Sequence, residues 1–231
     1  MVNLCKKMPI RKVVLANNQI YHILNRSLHR IPIFQNVKEK KRIIDLINYY
    51  SLKKRPCKFS RYKQFSKERK ERVILELNPK REKRVEIICF CLMPNHFHLL
   101  LRQRQENGIT RFMGDLQNSY VRYYNIKNNR KGPLFESQYK AIRISSEEQL
   151  LHVSRYIHLN PYSGYVVKNV NELIDYEWSS FKEYLNLANQ ELCNKNIILN
   201  RFNNSKEYKQ FVLARANYQK SLKVIKHLLM E

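Results

Sequence analysis

The chain predicts an α+β fold, antiparallel strands with helices packed on them, and three observations carry that expectation. Residues 19–25, QIYHILN, alternate as a half-buried strand does. Two apolar runs, 85–92 and 96–102, are separated only by Met-Pro-Asn, and Pro94 cannot donate to a sheet ladder, so a turn or bulge between neighbouring antiparallel strands is expected there. Segments 37–50, 109–127 and 147–160 repeat their apolar residues at helical spacing instead.

In order, the strand at 19–25 leads through a turn-like RSLHRIPIF to a helix at 37–50, in which Ile43, Ile44, Leu46 and Ile47 face inward and lysines face out. Between Leu52 and Arg84 the composition shifts to 14 Lys or Arg against 4 Glu. That stretch is either an inserted basic arm or a helix flanked by loops, and KERKERVILEL from Lys67 to Leu77 favours a helix in its second half. After the strand pair, Ile109, Phe112, Met113, Leu116, Tyr120 and Tyr123 form the apolar stripe of a helix, followed by a loop NNRKG and a strand near 139–144. Ser145 or Ser146 caps the next helix, whose first turn carries Glu147 and Glu148 where the dipole favours acids. This helix is expected to end at Pro161. From about Asn194 the chain reads as a polar, basic appendage with one or two helices.

The 231 residues hold 44 Lys and Arg against 19 Asp and Glu, a net charge of +25. A surplus of that size on a folded chain points to a polyanionic partner, most simply nucleic acid. Hydrophobic residues make up 43% of the chain, which is not the composition of a disordered protein. No apolar run approaches the roughly 18 residues of a spanning helix, so no membrane partner is expected. The N-terminus lacks the apolar core of a secretory signal, and five cysteines in no framework spacing fit reduced thiols, so a cytoplasmic location is predicted.

Within CLMPNHFHLLLR, from Cys91 to Arg102, His96 and His98 stand two residues apart, so on a strand they share one face while Phe97, Leu99 and Leu101 take the other. Such a pair suits a metal or phosphate site on a rigid support, and can also be ordinary polar decoration of a sheet face. Cys89 and Cys91 add a zinc cluster as an alternative, although zinc ligands usually come from separated knuckles rather than one strand. On the helix before Pro161, His152, Tyr156 and Asn160 recur every four residues on one face. Two imidazoles and an amide oxygen can hold a divalent cation, and a nearby phenol can attack a phosphate. Alone, Tyr156 can be a packed helix tyrosine and Asn160 a helix cap.

LMPNHFHLLL, then SYVRYYN, GPLFESQYKAIRI, LLHVSRYIHLNP and YEWSSFKEYL resemble, in that order, the HUH-type single-tyrosine transposases of bacterial insertion sequences, including the REP-associated tyrosine transposases. The resemblance covers about residues 17–186, setting a domain at 1–186 with a basic insertion at about 52–84 and leaving 187–231 as a basic helical appendage. It implies a ferredoxin-like fold whose central antiparallel sheet carries the histidines. It implies that His96, His98 and Asn160 bind a divalent metal, Mg2+ or Mn2+, and that Tyr156 is the nucleophile. The activity implied is cleavage and rejoining of single-stranded DNA, hairpin or palindromic, through a 5′-phosphotyrosine, by a monomer or a homodimer. Two other readings remain: a non-catalytic nucleic-acid-binding protein that has kept the fold, and a nuclease in which the histidines activate water.

Tyr120, Tyr123 and Tyr124 are rival nucleophiles better suited to stacking and packing. Arg122, Lys127, Arg130, Lys131, Tyr139, Lys140 and Arg143 are the candidate DNA contacts, since cations interleaved with aromatics suit phosphates and splayed bases.

Overall fold

A computed structural model describes residues 13–77, 82–188 and 191–228. The described strands are β1 (Ile20–Arg26), β2 (Val85–Met93), β3 (His96–Gln103) and β4 (Lys140–Ile144), forming one antiparallel sheet in the order β2-β3-β1-β4. The helices are α1 (Val37–Ser51), α2 (Phe59–Lys63), α3 (Lys67–Leu77), α4 (Gly108–Lys127), α5 (Glu147–Ser163), α6 (Phe181–Tyr184), α7 (Asn196–Leu199), α8 (Ser205–Leu213) and α9 (Ala216–Leu228). The expected α+β architecture, a central antiparallel sheet with packed helices, is what the chain adopts. None of the described helices is long and apolar enough to cross a membrane.

β2 and β3 form a tight hairpin turning at Pro94 and Asn95, where the proline needs no ladder donor. Its carbonyl is used instead, accepting from the amides of Ile33 (2.8 Å) and Phe34 (2.9 Å). A bulge lies between Ile87 and Cys89.

Strand alternation splits the sheet into two faces. Tyr21 and Ile23 of β1 share one with Phe97, Leu99 and Leu101 of β3, all fully buried. Phe97 meets Phe135, which in turn meets Tyr120 of α4, so α4 and its neighbour α1 cover this face. α1 starts at a capping box: the Glu39 amide donates to Asn36 Oδ1 at 3.0 Å while the Glu39 carboxylate accepts from the Asn36 amide. α4 begins where only glycine fits, because a Cβ on Gly108 would stand 2.4 Å from the Arg84 carbonyl oxygen. Arg84, itself buried, donates to the Tyr50 carbonyl (2.6 Å) and pairs with Asp115 (2.8 Å), tying β2 to α1 and α4.

On the opposite face lies α5, capped by Ser146, whose hydroxyl accepts from the Gln149 amide. Contrary to the expected stop at Pro161, α5 runs through it to Ser163, and Gly164 follows as the cap. A proline so near the end removes only one ladder donor, and its carbonyl is satisfied by the amides of Val166 and Val167. Asn160 is therefore an interior helical residue and not a cap.

The basic stretch resolves as α2 and α3, with residues 78–81 outside the described part. Its ends are pinned by a bridge between Leu52 and Lys83, so the insertion loops out from a closed neck. The C-terminal segment adds to the core: Ile198, Tyr208 and Val212 are fully buried. Tyr208 bonds to His158 of α5 (2.8 Å) and its hydroxyl to Ser154 (3.2 Å). Burial pushes His158 down to about 3, keeping it neutral in this aromatic nest.

Candidate active site

The face beneath α5 carries a grid of side chains fixed by strand register. Met93, His96 and Arg26 lie in one row across the sheet; Cys91, His98, Leu24 and Lys140 in the next; Cys89, Leu100, His22 and Ile142 in the third. The His96 and His98 rings are 5.1 Å apart between centroids, and the Tyr156 ring descends from α5 edge-on to His98 at 5.6 Å. The structure thus brings His96, His98 and Tyr156 together. Tyr156 keeps 37% of its surface exposed, enough for a substrate to reach it.

His22, which the sequence reading missed, completes the cluster. Its Nε2 stands 3.0 Å from His98 Nδ1, its ring stacks on His98 at 5.2 Å, and its other neighbour is Tyr156 at 6.0 Å. Burial pulls His22 down to about 4, so it is neutral at physiological pH. Arg26, also missed, stands directly opposite His96. Burial raises the Tyr156 phenol, while a hydrogen bond with the Asn160 side chain and the positive charge of Arg26 work in the other direction. The signal for His22 was parity on the expected first strand; Arg26 lies one residue beyond its expected end, on the same face four residues on.

Asn160 is fully buried one turn beyond Tyr156, and its amide nitrogen donates to the Tyr156 carbonyl at 2.9 Å. The oxygen of the same amide is the kind of atom a hard cation uses. Among the described residues no group of three or more His, Cys, Asp or Glu is arranged to hold a metal. A cation here would rest on two imidazoles and an amide oxygen, with substrate oxygens to complete its shell, a mixed set that suits Mn2+ better than the all-oxygen shell Mg2+ prefers. Cys91 shares the His98 row and Cys89 the next, and burial pushes the Cys89 thiol well up. His152 is exposed, paired with Glu148 at 3.6 Å.

The expected DNA contacts are dispersed. Lys140 is exposed on the histidine face, at the open edge of the sheet. Arg122 and Lys127 lie on α4, across the sheet from Tyr156, lining a groove with Arg42 and Lys58. Lys127 is held by Glu39 at 2.7 Å. Arg130 folds back on Asn125 and on the carbonyls of Gly132 and Pro133. Arg143 donates to Gln19 from the other face of β4, Lys131 is exposed in the loop after α4, and Tyr139 packs half-buried against the core. Among the rival tyrosines, Tyr120 is fully buried and donates to the Ile33 carbonyl, which makes it a packing residue.

A four-stranded antiparallel sheet bearing a His-x-His pair under a helix-borne tyrosine is the arrangement that the resemblance of the motifs leads one to expect. Residues 56–160 match the family described as "Transposase IS200 like", a span that includes His96, His98, Tyr156 and Asn160. The matched segment is under half of the 231-residue chain and holds the histidine pair together with most of α5. A REP-associated tyrosine transposase solved bound to a REP hairpin has a similar fold, with a TM-score of 0.54, 12% identity, and 81% of this chain and 98% of that one covered. A candidate transposase from Deinococcus radiodurans R1 also aligns, with a TM-score of 0.35 at 15% identity over 65% of this chain and 95% of that one. No curated protein matches the chain.

Proposed function

We propose that the protein cleaves and rejoins single-stranded DNA, hairpin-bearing or palindromic, with Tyr156 as nucleophile and His96, His98 and Asn160 as the seat of a divalent cation, Mg2+ or Mn2+. The observation that carries this is the Tyr156 ring resting 5.6 Å from His98 on an accessible part of the histidine face. The phenolic oxygen attacks the scissile phosphorus, the bond to the 3′-oxygen breaks, and the phenolic proton is matched by the one the 3′-hydroxyl acquires. The 5′-phosphotyrosine conserves the phosphodiester bond, so a 3′-hydroxyl returning to the phosphorus rejoins the strand and releases the tyrosine. When bound, the cation polarises the phosphate and stabilises its added charge.

The chain's own residues prepare that encounter. Arg26, beside His96 and close enough to act on the phenol, offers a fixed positive charge where negative charge develops. Lys140 at the sheet edge can hold the strand's backbone as it approaches. The hairpin in the solved REP-associated transposase supports a hairpin substrate for this chain.

The test is incubation with a labelled hairpin carrying single-stranded flanks. A denaturant-resistant protein–DNA adduct is expected with Mn2+ or Mg2+, absent with EDTA and absent in Tyr156→Phe. Tight, salt-dependent binding with no adduct on any strand would instead identify a non-catalytic DNA-binding protein. Cleavage without an adduct would identify a water-activating nuclease.

A further inference from the structure

Beside Tyr156, α5 and α9 part to leave an open groove of about 570 Å³, walled by His152, Arg155 and Tyr156 on one side and Arg215, Tyr218 and Leu222 on the other. α9 lies beyond the stretch that matches the transposase family, which ends at residue 160. It is nevertheless anchored to the nucleophile's own turn: Gln219 Nε2 donates to the Tyr156 carbonyl at 3.1 Å and to the Ser163 hydroxyl at 3.2 Å. Lys220 sits over the rings of Tyr162 and Tyr165, adding a second clasp between the two helices. The groove's floor is thus fixed with respect to Tyr156, and any strand lying in it passes the phenol.

The lining has a chemistry of its own. Tyr218 is 58% exposed and Leu222 47%, two large side chains turned outward on α9. The Arg215 guanidinium lies 5.8 Å from the Tyr218 ring, and Arg155, stacked on Phe211 at 4.4 Å, faces it from α5. No carboxylate lines the groove among the described residues. Burial first, and the nearby Arg215 charge in addition, pull Arg155 below the ordinary guanidinium range, so the two cations repel each other. An anion between them relieves that repulsion. The volume falls within the roughly 300–1,000 Å³ of small-ligand sites and, being open-ended, suits about one or two nucleotides of a passing strand.

We infer that the α5–α9 groove is a nucleotide subsite, stacking an unpaired base next to the scissile phosphate on Tyr218 and holding the adjoining backbone phosphate between Arg155 and Arg215. The inference rests on the assignment of Tyr156 as nucleophile only for the register of that base; the groove itself stands on its own geometry. A paired base cannot offer its face to Tyr218, so the ligand is single-stranded. Stacking and charge are indifferent to base identity, so the subsite tolerates sequence and sets the position of the strand.

The test compares the full-length protein on a hairpin with single-stranded flanks and on the same hairpin without them, by fluorescence anisotropy. Tyr218→Ala is expected to weaken binding of the flanked hairpin about 5- to 100-fold, the effect of losing one stacked base, and to leave the blunt hairpin unchanged. Tyr218→Phe retains the stack and binds as wild type. Arg215→Gln is expected to lower the slope of log affinity against log salt by about one on the flanked strand. Equal binding of both hairpins by wild type and Tyr218→Ala overturns the subsite. Independently of any substitution, an iodouracil in the flank beside the cleaved phosphate should photo-crosslink to the peptide containing Tyr218; crosslinks confined to other peptides contradict it. The two proposals fail separately. Loss of flank affinity in Tyr218→Ala without any adduct in wild type removes the chemistry and keeps the groove, whereas an adduct on Tyr156 with flank binding indifferent to Tyr218 does the reverse.

Discussion

The Nε2 of His22 and the Nδ1 of His98 stand 3.0 Å apart, a side-chain hydrogen bond between the neighbouring strands β1 and β3. A ring nitrogen engaged in this way fixes the tautomer and orientation of the other, the usual arrangement behind a metal-binding imidazole. His22 is thus a positioning residue for His98. His22→Ala is expected to raise the Mn2+ concentration for half-maximal adduct formation about 10- to 100-fold. Mn2+ affinity measured by calorimetry without DNA should weaken in parallel, and His22→Gln should recover part of both. Unchanged Mn2+ affinity in a folded His22→Ala protein would assign His22 to packing.

The cations predicted to contact DNA separate into two groups by their partners. Lys127→Ala is expected to cost about 1 kcal/mol of stability, by urea unfolding, because it strips Glu39 of a hydrogen-bonded charge, and to leave the salt dependence of DNA binding unaltered. Lys140→Ala should do the opposite, leaving the unfolding midpoint in place while reducing the salt slope of binding by about one. A drop in salt slope for Lys127 with none for Lys140 would put the strand on the far face of the sheet.

Glu39 makes the fold sensitive to acid. Burial alone would raise its carboxyl, but hydrogen bonds from Lys127 and from the amides of Asn36 and Gln35 outweigh it and hold the group below the usual carboxylate range. The folded protein therefore binds its proton less readily than the unfolded chain, so the stabilisation is present above about pH 4.5 and is lost as pH falls further. Glu39→Gln is expected to lower stability by about 1–2 kcal/mol at pH 7 and by little at pH 3. An equal loss at both values would mean that the cap, not the charge, is what counts.

Local pattern made much of this legible. Alternation in QIYHILN and HFHLLL announces strands with one face for the histidines, and the 3.6-residue period of the α4 stripe announces a helix whose buried side carries Tyr120. The contribution of His22 was hidden because it depends on which strands are neighbours. β1 inserts between β3 and β4, an order that no local pattern encodes. Lys127 looked like a DNA contact because its partner Glu39 is 88 residues away. Pro161 was weighed as a helix breaker, yet near a helix end its missing donor matters little and tertiary packing of α5 carries the helix past it. In the basic C-terminal segment, Tyr208 and Val212 sit one turn apart on α8, a short apolar stripe obscured by the surrounding lysines and asparagines.

The most direct measurement is the identity of the residue that carries DNA. Nuclease and protease digestion of the adduct formed with Mn2+, followed by mass spectrometry, should find a nucleotide joined through its 5′-phosphate to the peptide containing Tyr156. The same nucleotide on Tyr162, Tyr218 or any other tyrosine, with Tyr156→Phe still forming adduct, would contradict the account.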